Sequence, residues 1–141
     1  MQKNIKLKKK IINYKNLISS EKNVLIELNK NNVQIICLAG FMKILTSNFI
    51  KEFKGKIINI HPSLLPKYKG LKTHQRVIDN NENYSGCTVH YVNSKLDAGK
   101  IILQKKVKVF KNDSSEKLSK RILKHEHSLY PRALKKVISS L

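Results

Sequence analysis

Residues 56–66, which read Lys-Ile-Ile-Asn-Ile-His-Pro-Ser-Leu-Leu-Pro, constrain the fold of this chain more than any other stretch. The stretch begins as a short apolar run rich in isoleucine, which is typical of a buried strand. Pro62 has no N–H to offer a neighbouring strand, so the strand is expected to end there. Because side chains alternate along a strand, Asn59 and His61 are predicted to share one face near its carboxyl end.

An amide and an imidazole placed together at the end of a strand indicate a small reaction centre. In open parallel sheets, ligands bind beyond the carboxyl ends of the strands, where Asn59 and His61 are expected. A single histidine at a strand end is more often a half-buried, hydrogen-bonded residue without a chemical role. The pair alone therefore leaves both interpretations open.

Three further strands are predicted. Residues 34–39 form a nearly continuous apolar run, which predicts a strand buried on both faces of a parallel sheet. Residues 87–92 and 101–109 predict two more strands, and the connection between them favours an antiparallel pair. The turn after the central strand is expected to hold a cis bond between Leu65 and Pro66.

Four helices are predicted from apolar residues at helical spacing and from capping residues. The last helix opens at Asp113, where Asp-Ser-Ser-Glu has the spacing of a capping box. Pro131 is expected to kink or break this helix, because proline lacks the N–H and clashes with the preceding turn. The other helices are predicted over residues 21–30, 47–53 and 71–80.

The charge balance is strongly positive, with 29 basic residues against nine acidic ones and a formal net charge of +20. A nucleic-acid-binding protein would group these charges on one face and place aromatic residues among them. Here lysines are spread along the chain and aromatic residues make up 6%. Because arginine is the residue that forks onto phosphate and guanine, this lysine bias argues against a nucleic-acid partner. A basic RNA-binding protein without catalytic activity stays the alternative from another functional class.

The cysteines and the apolar stretches indicate the cellular compartment in which the chain is expected. Cys37 and Cys87 lie far apart in apolar runs, so they are expected to be small core residues in a reducing compartment. No apolar stretch reaches the length of a membrane span, and the basic start lacks the apolar core of a signal peptide. We therefore expect the 141 residues to form a single cytoplasmic domain without a membrane partner, with a basic extension over about residues 1–20.

Residues 59–68, Asn-Ile-His-Pro-Ser-Leu-Leu-Pro-Lys-Tyr, resemble the signature of the folate-dependent formyltransferases. Within them, the string most resembles the phosphoribosylglycinamide formyltransferase group, and the resemblance extends from about Val33 to Pro131. It implies an open Rossmann-like α/β sheet with flanking helices. It also implies transfer of a formyl group from 10-formyltetrahydrofolate to the amine of glycinamide ribonucleotide, in purine biosynthesis and without a metal.

The catalytic set of this family is an asparagine, a histidine and an aspartate, which match Asn59, His61 and Asp97. Formyl transfer passes through a tetrahedral carbon with a negative oxygen, which needs hydrogen-bond donors, a proton shuttle and a group that orients the shuttle. A carboxylate beside an imidazole favours the charged ring. By itself, Asp97 before Ala-Gly would be interpreted as a turn residue. His90 matches an accessory position, and its alternative is a strand histidine packed on its neighbours.

The resemblance also assigns the binding residues. The folate site is expected to consist of Met42, Lys43, Ile44, Leu45, Asn59, Asn93, Ser94, Lys95, Leu96 and Asp97. The acceptor site is expected to consist of Leu123, Lys124, His125 and Glu126, with Glu126 contacting the amine. His125 and His127 lie on different faces of a helix, so their spacing does not indicate a metal site.

One departure from the family is the Gly-rich loop that holds the substrate phosphate at a helix N-terminus. It has no counterpart here, because Gly40 is the first glycine. We therefore expect an N-terminally truncated sheet without its first βαβ units, in which the strand over residues 34–39 is exposed at one edge. Impaired formyl transfer follows from this, and the expected macromolecular partner is a complementing N-terminal fragment or a second copy in a homo-oligomer.

Other activities of the same superfamily stay open. A methionyl-tRNA formyltransferase or a formyl-folate hydrolase would share the catalytic set, and the basic charge favours tRNA. The continuation of the string as Gly-Leu-x-Thr-His favours the purine enzyme instead. A Ser63–His61–Asp97 hydrolase is disfavoured, because no nucleophile-elbow pattern surrounds Ser63.

Overall fold

The computed structural model describes residues 7–141, and the chain divides into two compact units at the boundary between Val33 and Gln34. The first six residues of the predicted basic extension lie outside the described residues. In chain order the elements are α1 (Leu17–Lys30), β1 (Ile35–Leu38), α2 (Ser47–Glu52), β2 (Lys56–His61), α3 (Thr73–Asp79), β3 (Tyr84–Tyr91), β4 (Ile101–Lys108) and α4 (Ser115–Ile138).

The N-terminal unit is built on α1, which begins four residues before the predicted start at residue 21. The reason is Asn16, whose side chain accepts a hydrogen bond from the Ser19 N–H at 3.1 Å and caps the helix. An ion pair between Lys10 and Glu27 ties the preceding lysine-rich segment to this helix.

The second unit is built on a mixed four-stranded open sheet with the order β1-β2-β3-β4. The strands β1 and β2 are parallel, whereas β2–β3 and β3–β4 are antiparallel. The predicted α/β class, the flanking helices and the antiparallel pair are therefore confirmed. The predicted cis peptide bond between Leu65 and Pro66 is present as well.

The prediction that β1 is buried on both faces is wrong. Among the described residues β1 has β2 as its single strand neighbour and lies at the edge of the sheet, which confirms the edge exposure expected from the missing first βαβ units. Three of its four residues are half-buried and Cys37 is exposed, so Cys37 is not the core residue that was expected. Cys87, on the inner strand β3, is fully buried as predicted.

The core lies between one face of the sheet and α4. It contains Ile58, Val77, Cys87, Val89, Ile102, Val107, Leu118, Ile122, Leu129, Ala133 and Val137. The α4 residue Tyr130 reaches across the strands: its hydroxyl donates to the Leu38 carbonyl at 2.7 Å and lies 3.2 Å from the Ile58 carbonyl. Burial and contact with Cys37 raise the pKa of this phenol, which therefore keeps the proton it donates.

The expected N-cap of α4 and the expectation of a break at Pro131 are both wrong. Its N-cap is Ser114, which accepts from the Lys117 N–H at 3.1 Å, and not Asp113. Pro131 lies inside a continuous helix that ends at Ile138. The helix continues because Ala133 and Val137, beyond the proline, are buried in the core, and this burial offsets the missing hydrogen bond.

Within the described residues, none of the helices combines the length and the apolar character that crossing a bilayer requires.

Candidate active site

A cleft of about 340 Å³ lies beside the last residues of β1 and β2, where three loops converge. These loops follow β1, β2 and β3. The cleft is lined by Leu38, Gly40, Phe41, Met42, Lys43, Ile44, Leu45, Asn59, Ile60, His61, Pro62, Gly70, Leu71, Lys72, Thr73, Val92, Asn93, Lys95, Leu96, Asp97 and Glu126.

Asn59 and His61 both line this cleft, as their alternation along the strand predicted. Strand β3 pairs with β2 so that Asn59 is opposite His90. Residues opposite each other share a face, and the Asn59 Nδ2 lies 3.4 Å from the His90 Nε2. The amide of Asn59 is therefore fixed by a side chain of the neighbouring strand.

The imidazole of His61 is held at both nitrogens. Its Nε2 donates to the Tyr68 carbonyl at 2.8 Å, and its Nδ1 lies 3.4 Å from the Asp97 Oδ2. The His61 and Asp97 side chains are 8% and 9% exposed, so little water competes for either group. Both nitrogens of the ring thus face oxygen atoms that can accept a hydrogen bond.

Asp97 reaches His61 from a tight loop. Its backbone is in the left-handed region, with a φ of 46°, which aspartate tolerates better than most residues. Its Oδ2 also accepts a hydrogen bond from the Gly70 N–H at 2.9 Å. Asp97 is therefore both a turn residue and the carboxylate that faces His61, so the two interpretations of this residue are compatible.

His90 is buried, with 2% of its surface exposed. Burial lowers the pKa of this ring and outweighs the hydrogen bond to the Tyr91 carbonyl and the charge of Asp97, which both raise it. The Nδ1 donates to the Tyr91 carbonyl at 2.9 Å, which leaves the Nε2 of the neutral ring to accept from Asn59. His90 thus orients the amide of Asn59, and its Nε2 is 3.8 Å from the Asp97 Oδ1.

Glu126 is the one member of the predicted acceptor site that lines the cleft. Burial raises the pKa of its carboxyl, and the positive charges of His127 and His61 oppose that effect. Its predicted companions Leu123, Lys124 and His125 do not line the cleft.

The predicted folate residues lie around the cleft with one exception, since Ser94 is not among the lining residues. Sequence reasoning missed several cleft residues, including Leu71, Lys72 and Thr73. It also missed the Tyr68 carbonyl, a backbone group that no side-chain pattern reveals. The glycine at position 70, with a φ of +80°, was the signal available for a tight turn there.

The described part of the chain contains no group of three or more His, Cys, Asp or Glu side chains placed to hold a metal ion.

Comparisons with known proteins found a matching family and similar sequences. The family described as "Formyl transferase" matches residues 2–134. The phosphoribosylglycinamide formyltransferase of Haemophilus influenzae is 52% identical over 103 residues, which are 73% of this chain and 49% of that protein. The trifunctional purine biosynthetic protein adenosine-3 of Chironomus tentans is 53% identical over 113 residues, which are 80% of this chain and 8% of that protein.

A solved structure shows the same arrangement of the chain. The crystal structure of phosphoribosylglycinamide formyltransferase from Bacillus halodurans superposes with a TM-score of 0.83 at 36% identity, covering 89% of this chain and 65% of that one. The chain thus spans about half the length of the Haemophilus relative and under a tenth of the trifunctional one.

Proposed function

This chain belongs to the formyl transferase family, and we propose that its cleft transfers a formyl group from 10-formyltetrahydrofolate to the amine of glycinamide ribonucleotide. The observation that carries the proposal is the convergence of Asn59, His61 and Asp97, from two separate parts of the chain, in one cleft. The names of the relatives, phosphoribosylglycinamide formyltransferase and a purine biosynthetic protein, support this acceptor.

In this proposal, Asn59 and His61 stabilise the charge that develops on the formyl oxygen. The amine nitrogen attacks the formyl carbon and gives a tetrahedral centre with a negative oxygen. The Asn59 amide donates a hydrogen bond to that oxygen, and the imidazolium of His61 adds a positive charge beside it. Both groups are already fixed by His90 and Asp97, so little reorganisation is needed at the moment of reaction.

Collapse of the tetrahedral centre requires one proton to move. The attacking amine loses a proton, N10 of the folate gains one, and the bond between N10 and the formyl carbon breaks. The His61–Asp97 pair lies where it can carry that proton, because a carboxylate and an imidazole share the contact. Glu126, with its carboxyl in the same cleft, binds the amine and holds it for attack.

The folate in this proposal lies between the loops after β1 and β3. Met42, Ile44 and Leu96 line the cleft and keep 75%, 60% and 47% of their surfaces exposed, which offers apolar contact to a planar ring. Lys43 and Lys95 line the same cleft and would attract the carboxylates of the folate tail.

A transfer assay tests the proposal directly. The purified chain is mixed with labelled 10-formyltetrahydrofolate and one acceptor, either glycinamide ribonucleotide, methionyl-tRNA or water alone. We expect label in the ribonucleotide, and a rate about a hundred- to a thousandfold lower in Asn59→Ala, because an oxyanion donor is lost. Arg132→Gln, an exposed position on α4, is the control and should keep the rate of the unchanged protein.

Two results would contradict the proposal. One is transfer to methionyl-tRNA or to water in preference to the ribonucleotide. The other is a rate in Asn59→Ala equal to that of the control. Binding of the formyl-folate, followed by calorimetry, separates a failure to bind from a failure to react.

Assembly and location stay predictions from the sequence. In the proposal the small-molecule partners are the formyl-folate and the ribonucleotide, and a homo-oligomer or a complementing N-terminal fragment is the macromolecular partner. Light scattering on the purified chain, which gives its mass in solution, tests the homo-oligomer. Cell fractionation tests the cytoplasmic location.

A further inference from the structure

The backbone of residues 68–71, called here the 68–71 segment, contacts both His61 and Asp97. The Tyr68 carbonyl accepts from the His61 Nε2 at 2.8 Å. The Gly70 N–H donates to the Asp97 Oδ2 at 2.9 Å. The relative placement of the imidazole and the carboxylate therefore depends on the conformation of this one segment.

The 68–71 segment does not adopt an ordinary conformation. Tyr68 and Gly70 have φ values of 56° and +80°, both in the left-handed region. For a non-glycine residue such as Tyr68 this conformation is strained, and the surrounding structure must hold it in place. A group outside the segment is needed to hold its backbone where the Tyr68 carbonyl contacts His61 and the Gly70 N–H contacts Asp97.

Arg76, on α3, is that group. Its Nη1 donates to the Lys69 carbonyl at 2.6 Å and to the Leu71 carbonyl at 3.1 Å, the two residues that flank Gly70. Its guanidinium also lies over the Tyr68 ring, 5.3 Å from the ring centroid. One side chain thus contacts three of the four residues of the 68–71 segment.

A second set of contacts holds the start of the segment. The Tyr68 hydroxyl donates to Glu82 at 2.8 Å, and Lys67 pairs with the same carboxylate at 3.2 Å. The Ser63 hydroxyl donates to the Lys67 carbonyl at 2.6 Å. These contacts stop short of Gly70, so the backbone around the Asp97 contact is held by Arg76.

We propose that Arg76 is a positioning residue for the reaction centre, acting through the 68–71 segment on the His61–Asp97 pair. It is not among the residues that line the cleft, so it has no direct contact to offer a substrate there. Without it, the segment has more conformations available, and the fraction with both backbone contacts formed falls. The effect of Arg76 on catalysis rests on the proposed function. Its effect on how firmly the His61 imidazole is held does not.

The first test needs no turnover. Histidine is labelled with ¹⁵N, and the ring N–H proton of His61 on Nε2 is followed by NMR, with His61→Gln assigning the signal. In the unchanged protein we expect slow exchange with water, because the proton is bonded and buried. In Arg76→Gln we expect at least tenfold faster exchange. Arg132→Gln removes the same charge from an exposed site and should leave the signal as it was.

The second test is kinetic. We expect kcat to fall about ten- to a hundredfold in Arg76→Gln, since small misplacements of reacting groups have effects of this size. The KM for the formyl donor should change less than about twofold, because the folate contacts are intact. Arg76→Lys, which keeps the charge and can still reach one carbonyl, should recover part of kcat.

Equal His61 exchange rates in Arg76→Gln and Arg132→Gln would overturn the inference. If Arg76→Gln fails to fold, Arg76→Met keeps the stem and the helix propensity, and the same equality there would overturn it. A chain in which no variant transfers formyl, but in which Arg76→Gln accelerates exchange at His61, contradicts the proposed function and supports the role of Arg76.

Discussion

At the scale of single residues, burial decides the charge of two histidines beside the cleft. Burial lowers the pKa of His74 and of His90, and the positive charge of His61 lowers both further. The Nδ1 of His74 is buried and has no hydrogen-bond partner among the described residues. The folded protein therefore favours the neutral form of both rings.

This neutrality makes stability depend on pH. The folded pKa values of His74 and His90 lie below the value of 6.5 for an unperturbed ring, so the unfolded chain binds more protons as the pH falls. The free energy of unfolding should drop between about pH 7.5 and about pH 5.5, by at most about 1.4 kcal/mol per pH unit for each ring. His74→Asn should reduce that slope. Urea unfolding of both proteins across this range measures it, and equal slopes would contradict the prediction.

Residue-level prediction from the sequence worked where side chains carry the signal. Asn59 and His61 could be placed on one face because a strand has a period of two. Asp97 was found through the family resemblance, since nothing in its local sequence separates a carboxylate partner from a turn residue. The contacts of Tyr68 and Gly70 could not be predicted, because backbone groups of a left-handed loop leave no side-chain pattern.

At the scale of elements, α4 is joined to the loop before it by one charged pair. Arg121 forks onto Asp113 with contacts of 2.6 and 2.7 Å, and its guanidinium lies 4.5 Å from the centroid of the Phe110 ring. The guanidinium holds the pKa of the Asp113 carboxyl below its usual range. This pair fixes the direction in which α4 leaves β4, and the capping role predicted for Asp113 belongs to Ser114.

Removing this pair should loosen the start of α4. We expect Arg121→Ala to lower the free energy of unfolding by about 1–2 kcal/mol at neutral pH, because two charge-assisted hydrogen bonds to a nearly buried carboxylate are lost. The loss should shrink at acid pH as Asp113 takes up a proton and the pair weakens in the unchanged protein. Thermal unfolding monitored by circular dichroism measures both effects, with Arg132→Ala as the control.

Pro131 offers a test of how α4 tolerates a proline. Pro131→Ala supplies an N–H for the carbonyl one turn earlier and removes the ring clash, so we expect stabilisation of about 1–3 kcal/mol. Chemical denaturation of the two proteins gives the difference. An unchanged or lowered stability would mean that the helix has already adjusted around the proline.

Helix and strand positions were predictable, whereas the composition of β1 was misleading about its burial. The apolar run of residues 34–39 has the composition of an inner strand, yet β1 lies at an edge, which the missing βαβ units of the family indicated and the composition did not. Composition reports how apolar a strand is, and the number of its neighbours depends on contacts elsewhere in the chain. For the same reason the helical pattern of α4 could not show that buried residues beyond Pro131 would keep the helix intact.

At the scale of the whole molecule, the net charge of +20 works against the compact state. Charges of one sign repel each other less once the chain unfolds and spreads them out. Among the described residues, ion pairs relieve only part of this excess, because the sequence has nine acidic residues for 29 basic ones.

Added salt should therefore stabilise the protein. Raising NaCl from about 0.05 M to about 0.5 M shortens the screening length from more than 10 Å to a few ångströms. We expect the unfolding temperature to rise by several degrees, and scanning calorimetry at a fixed pH measures it. A fall with salt would show that the ion pairs outweigh the repulsion.

The hydroxyl of Tyr130 makes the wall of the cleft depend on α4. Through it, the carbonyl of Leu38 in that wall is held by a helix that begins well after Asp97 in the sequence. A protease cut in α4 before Tyr130 would spare His61 and Asp97 and still release the strand that bounds the cleft. Damage to the second half of α4 is thus damage to the reaction centre, although the two lie far apart in the sequence.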